Sequence, residues 1–238
     1  MLLYYIRHGD PIYDPDQLTP LGQQQAHAVA KRLARYGFDH IYTSTSQRAI
    51  QTAQPLCDLL KLEPVQLDWC HERHAHRLFS APTADGKRNF ASANLEIRKL
   101  FNSKEMLAMG EMWYTHPRLA GERFQEGLEF YNGHTDALLE KHGYRRDDEE
   151  NWYIPVNDND ERIAIFAHWG VGGAIMSRIL GIPYPQFVSR FALSHSTMSI
   201  VEFKVRGDIV IPQALTYGND SHVYRDGLPT KFENRLYI

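Results

Sequence analysis

The chain has 238 residues, 43% of them hydrophobic, and a formal net charge of −3. This length and composition suit one domain of ordinary size with a hydrophobic core and exclude a disordered chain. The net charge argues against a general binder of nucleic acid or anionic membranes, so attraction for anions has to come from a local cluster of Arg and His.

The first part of the chain predicts alternating strands and helices. Residues 2–6 form a short apolar run that is typical of a buried strand. Thr19 is a helix N-cap, and Pro20 suits the first turn of that helix. The run HIYTS predicts a second strand, QRAIQTAQPLCDLL a second helix, and EPVQLDW a third short strand. This alternation favours an α/β fold in which helices cover a mostly parallel sheet.

Residues 73–160 interrupt this alternation. They predict two or three helices, in RNFASANLEIRKLFNSKEMLAM and GERFQEGLEFYNGHTDALLEKHG, while RRDDEENWY and VNDNDE predict a solvated, turn-rich surface. The pattern then returns with the strand RIAIFA, the helix GVGGAIMSRILG and a hairpin made of MSIVEFKV and DIVIPQALTY. We therefore interpret residues 73–160 as a helical cap inserted into a single domain that spans residues 1–238.

Three predicted strands end in arginine or histidine. Arg7 and His8 follow the first strand, Arg48 lies in the first helical turn after the second, and His168 follows RIAIFA. Ligands of open α/β sheets bind beyond the carboxyl ends of the strands, where helix N-termini add N–H donors. Arginine can hold two phosphate oxygens, and a neutral histidine nitrogen can attack phosphorus. This edge therefore predicts a site for a phosphoryl group.

The motifs IRHG, LTPLGQQQA, SxxxRAxQTA and a late AH before a Gly-rich helix resemble the histidine phosphatase superfamily, in its phosphoglycerate-mutase-like branch (branch 1). The resemblance covers roughly residues 1–72 and 162–225. It implies a three-layer α/β sandwich, with a mostly parallel central sheet flanked by helices. It also implies a phosphohistidine on His8, with Arg7, Arg48 and His168 binding the phosphoryl oxygens and His168 contributing to catalysis.

The resemblance extends to three further residues. Glu72 lies where many members carry the proton donor to the leaving oxygen. His222 ends an Asn–x–x–His pattern that shapes the pocket rim in phosphatase members, so we expect it to contact substrate. Trp169 stands where Gly usually follows the second histidine, and its ring would narrow the pocket, stack on the substrate or serve only for packing. No cofactor and no metal is implied, because Arg and His supply the positive charge.

The sequence departs from the family pattern after RHG, where Asp10 and Pro11 replace Glu or Gln followed by Ser or Thr. The loop from His8 to Thr19 is also shorter than mutases commonly have. Both departures put mutase activity in doubt. The first hypothesis is therefore a metal-independent phosphatase acting on a small phosphorylated metabolite. A phosphoglycerate-type mutase and a non-catalytic phosphate-ester binding module are the alternatives, and the substrate and oligomeric state stay open.

Some further patterns keep two interpretations each. The histidines of HERHAH lack standard zinc-motif spacing, so a pocket lining is favoured over a metal site. The basic residues at the start of the insertion could meet an anionic substrate or lie in solvent; they are Arg73, Arg77, Lys87 and Arg88. Two cysteines in a chain of this length favour a reduced protein. With no predicted signal peptide or membrane span, we expect a cytoplasmic protein without nucleic-acid or membrane partners.

Overall fold

The structure, a computed structural model, describes residues 1–83, 85–147 and 149–230. Its strands, numbered in chain order, are β1 (Leu2–Arg7), β2 (Pro11–Ile12), β3 (Gln17–Leu18), β4 (His40–Ser44), β5 (Val65–Leu67), β6 (Ser80–Pro82), β7 (Arg88–Phe90), β8 (Tyr144–Arg146), β9 (Tyr153–Pro155), β10 (Arg162–Ala167), β11 (Met198–Glu202), β12 (Val205–Arg206), β13 (Ile209–Val210) and β14 (Gln213–Asn219). Its α-helices are α1 (Pro20–Leu33), α2 (Gln47–Leu60), α3 (Glu72–Leu78), α4 (Leu95–Phe101), α5 (Lys104–Met109), α6 (Phe124–Lys141), α7 (Trp169–Leu180), α8 (Tyr184–Arg190) and α9 (Ser221–Arg225).

The central sheet has the strand order β14-β11-β1-β10-β4-β5. The pairs β1–β10, β10–β4 and β4–β5 are parallel, whereas β11 pairs antiparallel with both β1 and β14. The predicted α/β fold with a mostly parallel sheet is therefore confirmed. Because β1, β10 and β4 are parallel neighbours, their carboxyl ends lie side by side at the same end of the sheet.

The two faces of the sheet are covered by different helices, which makes three layers. Side chains alternate along β1, so Leu3 and Tyr5 face one apolar cluster and Tyr4 and Ile6 face the other. The cluster around Tyr4 contains buried residues of α1 and α2, and the cluster around Tyr5 contains those of α7. Strands buried on both faces explain why β1 and β10 are nearly continuous apolar runs.

The segment 73–160 packs into the same apolar cluster as the α7 face of the sheet. Phe79, Phe101, Trp113, Phe124 and Tyr131 are all buried in that cluster. Their rings contact one another at centroid separations between 5.2 and 6.4 Å. Aromatic burial of this kind anchors the predicted helices α4 and α6 on the sheet.

Of the two charged runs predicted to form a turn-rich surface, VNDNDE is mostly exposed and free of strands as predicted, whereas the two ends of RRDDEENWY lie in strands. Strands β8 and β9 pair there, and β9 also pairs with β13, in the four-stranded order β12-β13-β9-β8. Tyr144 and Tyr153 are fully buried, with their rings 5.1 and 5.7 Å from the ring of Phe203. These two apolar contacts outweigh the polar composition of the intervening turn. The predicted hairpin is present as the antiparallel pairs β11–β14 and β12–β13.

The loop after β1 is held tightly against the start of α1. Thr19 caps α1 as predicted, with its hydroxyl accepting from the N–H of Gly22 at 3.0 Å. A Cβ atom at Gly9 would lie 2.7 Å from the carbonyl oxygen of Gly22, so the two glycines permit this close approach. None of the described helices is both long and apolar enough to cross a lipid bilayer.

Two glycines of α6 provide a matched test of packing. A Cβ at Gly127 would lie 2.8 Å from the ring of Phe79, whereas a Cβ at Gly133 would meet no atom within 4 Å. We expect Gly133→Ala to raise the free energy of unfolding by up to about 1 kcal/mol through helix propensity. We expect Gly127→Ala to lower it by about 1–3 kcal/mol through overpacking. Urea denaturation measures both, and equal changes of the same sign would contradict this packing.

Candidate active site

The structure brings Arg7, His8, Arg48 and His168 together at the carboxyl ends of the parallel strands. Arg7 ends β1 and His8 follows it, Arg48 is the second residue of α2, and His168 is the N-cap of α7. The His8 and His168 rings are 5.1 Å apart between centroids. All but Arg7 are buried, with 1–7% of their surface exposed.

The hydrogen bonds of His8 show which of its ring nitrogens carries the proton. Nδ1 lies 2.7 Å from the carbonyl oxygen of Gly9, which can only accept, so Nδ1 carries the proton. Nε2 faces the Nε–H of Arg48 at 3.3 Å and therefore presents a lone pair. Burial and the neighbouring charge of Arg7 hold the pKa of His8 well below its usual range, so the ring is neutral. An unprotonated Nε2 is the form that a nucleophile needs.

Arg48 connects both histidines with a carboxylate. It donates from Nη2 to Nδ1 of His168 at 3.1 Å and from Nη1 to Asp16 at 2.7 Å. Its guanidinium carbon also lies 5.3 Å from the centre of the Tyr13 ring. Asp16 compensates the charge of the buried arginine. The three contacts together fix the orientation of the Arg48 guanidinium group.

His168 is held from both its ring and its backbone. Because its Nδ1 accepts from Arg48, its Nε2 carries the proton and donates to the hydroxyl of Ser44 at 2.8 Å. The Tyr5 hydroxyl donates to the His168 carbonyl at 2.5 Å and accepts from its backbone N–H at 3.2 Å. Burial, followed by the proximity of His8, keeps the pKa of His168 well below its usual range. The second histidine is thus also neutral.

Arg7 is partnered by a residue that the sequence analysis did not select, His195. Arg7 Nη2 donates to His195 Nε2 at 2.8 Å, and Nη1 donates to the carbonyl of Leu193. The rings of His195 and His8 lie 5.3 Å apart. His195 precedes β11, and because β11 runs antiparallel to β1, its beginning lies beside the end of β1. The available signal was that His195 stands three residues before the predicted strand MSIVEFKV, at a strand start where the sequence analysis sought no site residue.

Glu72 is the first residue of α3, and its carboxyl group lies against the start of α7, the helix that His168 begins. Its Oε1 and Oε2 atoms accept the backbone N–H groups of Gly170 and Val171 at 3.0 and 3.3 Å. Burial raises the pKa of Glu72, and these two hydrogen bonds partly oppose that shift. Burial thus shifts the pKa of Glu72 in the direction that a proton donor needs, and the charges of Arg7 and Arg48 act against that shift.

Comparison with known proteins agrees with this arrangement. The model of the histidine phosphatase superfamily (branch 1) matches residues 3–143. The chain belongs to this superfamily. Among its relatives, the protein named "Probable phosphoglycerate mutase GpmB" from Yersinia enterocolitica is 33% identical over 72 residues, which are 26% of this chain and 34% of that protein. A PE-PGRS family protein of Mycobacterium tuberculosis is 37% identical over 86 residues, which are 32% of this chain and 15% of that protein. The chain thus spans about a third or less of these curated relatives.

Solved structures of the superfamily share the fold. A mycobacterial glucosyl-3-phosphoglycerate phosphatase superposes with a TM-score of 0.59 at 19% identity, covering 91% of this chain and 98% of that one. Phosphoserine phosphatase from Entamoeba histolytica, in complex with 3-phosphoglyceric acid, gives a TM-score of 0.58 at 18% identity, covering 93% and 98%. At these identities the likeness establishes the architecture.

In this member of the superfamily, two residues that depart from the family pattern, Asp10 and Trp169, have clear contacts. Asp10 bonds the Thr19 hydroxyl at 2.8 Å, and its Oδ1 lies 3.7 Å from Nδ1 of His195. It therefore links the start of α1 to the partner of Arg7. Trp169 is half-buried and packs edge-to-face on Phe90 of the insertion, with ring centroids 5.7 Å apart. Trp169 thus joins the insertion to the start of α7.

A histidine just before the insertion lies near the site, while the basic residues of the insertion pair with acids. His71 caps α3, and its ring lies 6.2 Å from that of His168. His74 bonds Asp68, and His76 packs against Phe90. The four basic residues form surface ion pairs, Arg73–Asp68, Arg77–Glu126, Lys87–Asp85 and Arg88–Glu122.

The structure places His222 behind the site and not among the four central side chains. Its Nε2 lies 3.0 Å from the Ser196 hydroxyl, and the backbone N–H of Ser196 donates to the His8 carbonyl at 2.9 Å. Burial, with a contribution from the charge of Arg32, lowers the pKa of His222 to about 4. These contacts favour a role in supporting the loop that holds His8.

The lowered pKa of His222 predicts acid sensitivity. The unfolded chain takes up a proton on this residue near pH 6.5, whereas the folded chain takes it up near pH 4. Stability therefore falls as the pH drops through this window, by about 3 kcal/mol at about 1.4 kcal/mol per pKa unit. We expect His222→Gln to lose less stability than the wild type between neutral pH and pH 4. Urea denaturation across this range checks it, and parallel pH profiles would contradict it.

Proposed function

We propose that the chain is a phosphatase that hydrolyses small phosphomonoesters through a phosphohistidine on His8. The observation that carries the proposal is the lone pair on Nε2 of His8, buried between Arg48 and His168 and beside Arg7. Two guanidinium groups beside one unprotonated nitrogen suit a dianionic phosphoryl group that is attacked at phosphorus.

In the first proposed step, His8 Nε2 attacks phosphorus in line with the ester oxygen. The N–P bond forms as the P–O bond to the leaving alcohol breaks, and Glu72 gives its proton to that oxygen. The guanidinium groups of Arg7 and Arg48 hold the equatorial oxygens as charge redistributes. His195 and Asp16 hold these two arginines in orientation before substrate binds.

In the second proposed step, water attacks the phosphohistidine. The ionised Glu72 takes a proton from the water, an O–P bond forms, and the N–P bond breaks. The electron pair returns to Nε2, which restores the neutral His8, and inorganic phosphate leaves. The low pKa of His8 favours this step, because the ring that leaves phosphorus is stable without an extra proton.

We also propose that residues 73–160 act as a cap that selects the substrate within a single domain. Support comes from α3, which begins at Glu72, and from the Phe90–Trp169 contact at the edge of the site. Substrate screening starts with phosphomonoesters that also carry a carboxylate, since phosphoserine phosphatase and its bound 3-phosphoglyceric acid provide that chemistry in a structural neighbour.

Removal of the nucleophile is the primary test. With p-nitrophenyl phosphate and a chelator present, we expect His8→Ala to lower kcat by more than about 1,000-fold, as for other catalytic nucleophiles. Acid-labile phosphate should be trapped on the wild type and not on this variant. His27→Ala, at an exposed position of α1, is the matched control. Equal turnover by His8→Ala would overturn the proposal.

The same experiment separates the alternative functions. Phosphoryl transfer to a second hydroxyl group in preference to water would indicate a mutase. Binding of phosphate esters without turnover, unaffected by His8→Ala, would indicate a binding module.

Two substrates whose leaving groups differ in their need for a proton test the role of Glu72. p-Nitrophenolate departs without a proton, whereas the alkoxide of 3-phosphoglycerate needs one. We therefore expect Glu72→Gln to slow release of the leaving group in a single turnover by about 10²–10⁴-fold with 3-phosphoglycerate and only slightly with p-nitrophenyl phosphate. The comparison requires wild-type turnover of both substrates. Equal losses on both would indicate that Glu72 acts only by capping α7.

A further inference from the structure

Three potential metal ligands lie together at the amino ends of β4 and β10, opposite to the candidate active site. His40 begins β4, Glu161 immediately precedes β10, and His142 follows the last residue of α6. One ligand atom from each of the three side chains lies within 4.8 Å of the other two. Three separate elements thus bring two imidazoles and one carboxylate close together.

His142 is already oriented as a metal-binding histidine would be. Its Nδ1 lies 2.6 Å from Glu161 Oε2, and its Nε2 lies 2.9 Å from the Tyr42 hydroxyl. Lys141 Nζ donates to the same hydroxyl at 3.3 Å. Histidine ligands in proteins are generally held through their second nitrogen by such a partner, which sets the tautomer and the ring direction.

A simple hydrogen-bonded pair of His142 and Glu161 does not explain the position of His40. Its Nε2 points to the other oxygen of Glu161 at 3.9 Å, which is longer than a hydrogen bond. The His40 and His142 rings are 5.1 Å apart. The side chains of His40 and Glu161 are 42% and 32% exposed, so an ion and a water ligand can reach the group from solvent.

The distances are close to those of a bound ion. Zinc takes nitrogen and oxygen ligands at about 2.0–2.2 Å in a tetrahedron, so its ligand atoms lie about 3.3 Å from one another. The His142–Glu161 separation of 2.6 Å and the His40–Glu161 separation of 3.9 Å lie on either side of that value. Each changes by less than about 1 Å to reach it, which small side-chain rotations provide.

We propose that His40, His142 and Glu161 bind a divalent transition-metal ion of the zinc type, with water as the fourth ligand. On binding, the neutral His142 ring exchanges its Nδ1 proton for a solvent proton on Nε2, so no net proton is released from the ring, and the metal bond forms at the lone pair of Nδ1. The neutral ring then carries its proton on Nε2 and donates to the Tyr42 oxygen.

The position gives the ion a structural consequence. It would join the amino ends of β4 and β10 to α6, while the opposite ends of these strands lead to Ser44, Arg48 and His168. An ion that binds only the folded chain raises its stability by mass action. The site is separate from the proposed phosphoryl chemistry and does not depend on it.

The test is zinc titration of the untagged protein by calorimetry, with cobalt(II) absorption as a report of geometry. We expect one ion per chain, a tetrahedral cobalt spectrum and a zinc-dependent rise in Tm. Tyr42→Phe should weaken zinc binding by about 10–100-fold, as loss of an outer partner does. His40→Ala and Glu161→Gln each remove a ligand and should weaken it by more than about 100-fold. His40 is partly exposed and Gln preserves the shape of Glu161, so both variants should fold.

Two control variants make the outcome decisive. His27→Ala removes an exposed histidine of α1, and His8→Ala removes one from the active site; both should bind zinc as the wild type does. Unchanged affinity in His40→Ala would overturn the proposal, as would binding that His8→Ala abolishes. Absence of stoichiometric binding to the wild type would overturn it as well.

Discussion

The geometry of the candidate active site depends on the hydrogen bonds of one group, the guanidinium of Arg48. It faces Nε2 of His8 at 3.3 Å, Nδ1 of His168 at 3.1 Å and Asp16 at 2.7 Å. Because arginine only donates hydrogen bonds, each imidazole nitrogen that it contacts has to accept. One side chain therefore sets the tautomers of both histidines and leaves the lone pair of His8 facing the site.

The parallel strands of the sheet present different side-chain groups at their two ends. The carboxyl ends of β1, β10 and β4 present buried, neutral histidines between arginines, which suits a transferable phosphoryl group. The amino ends of β4 and β10 present a partly exposed imidazole–carboxylate group, which suits a cation. Parallel pairing makes both possible, because it brings corresponding ends of separate strands together.

Much of the fold could be predicted from local patterns. Apolar strands that are buried on both faces, with capped helices between them, identify β1, β4, β10 and the helices that cover them. The insertion was less predictable, since Tyr144 and Tyr153 form strands within a charged stretch through contacts with Phe203, about 50 residues later. Such long-range packing leaves no periodic signal in the local sequence.

The sequence by itself determined the chemistry at the strand ends. Arg7, His8 and His168 stand at or directly after the end of a recognisable strand, and Arg48 lies in the first turn of the helix that follows another. Only the tertiary structure decided which partners hold them. His195 reaches Arg7 across 188 residues because β11 runs antiparallel beside β1. His222 matched a rim motif, yet its helix lies behind the His8 loop, where its ring bonds Ser196. Contacts of this kind depend on strand order and direction, which are settled by burial of the whole sheet and not by neighbouring residues.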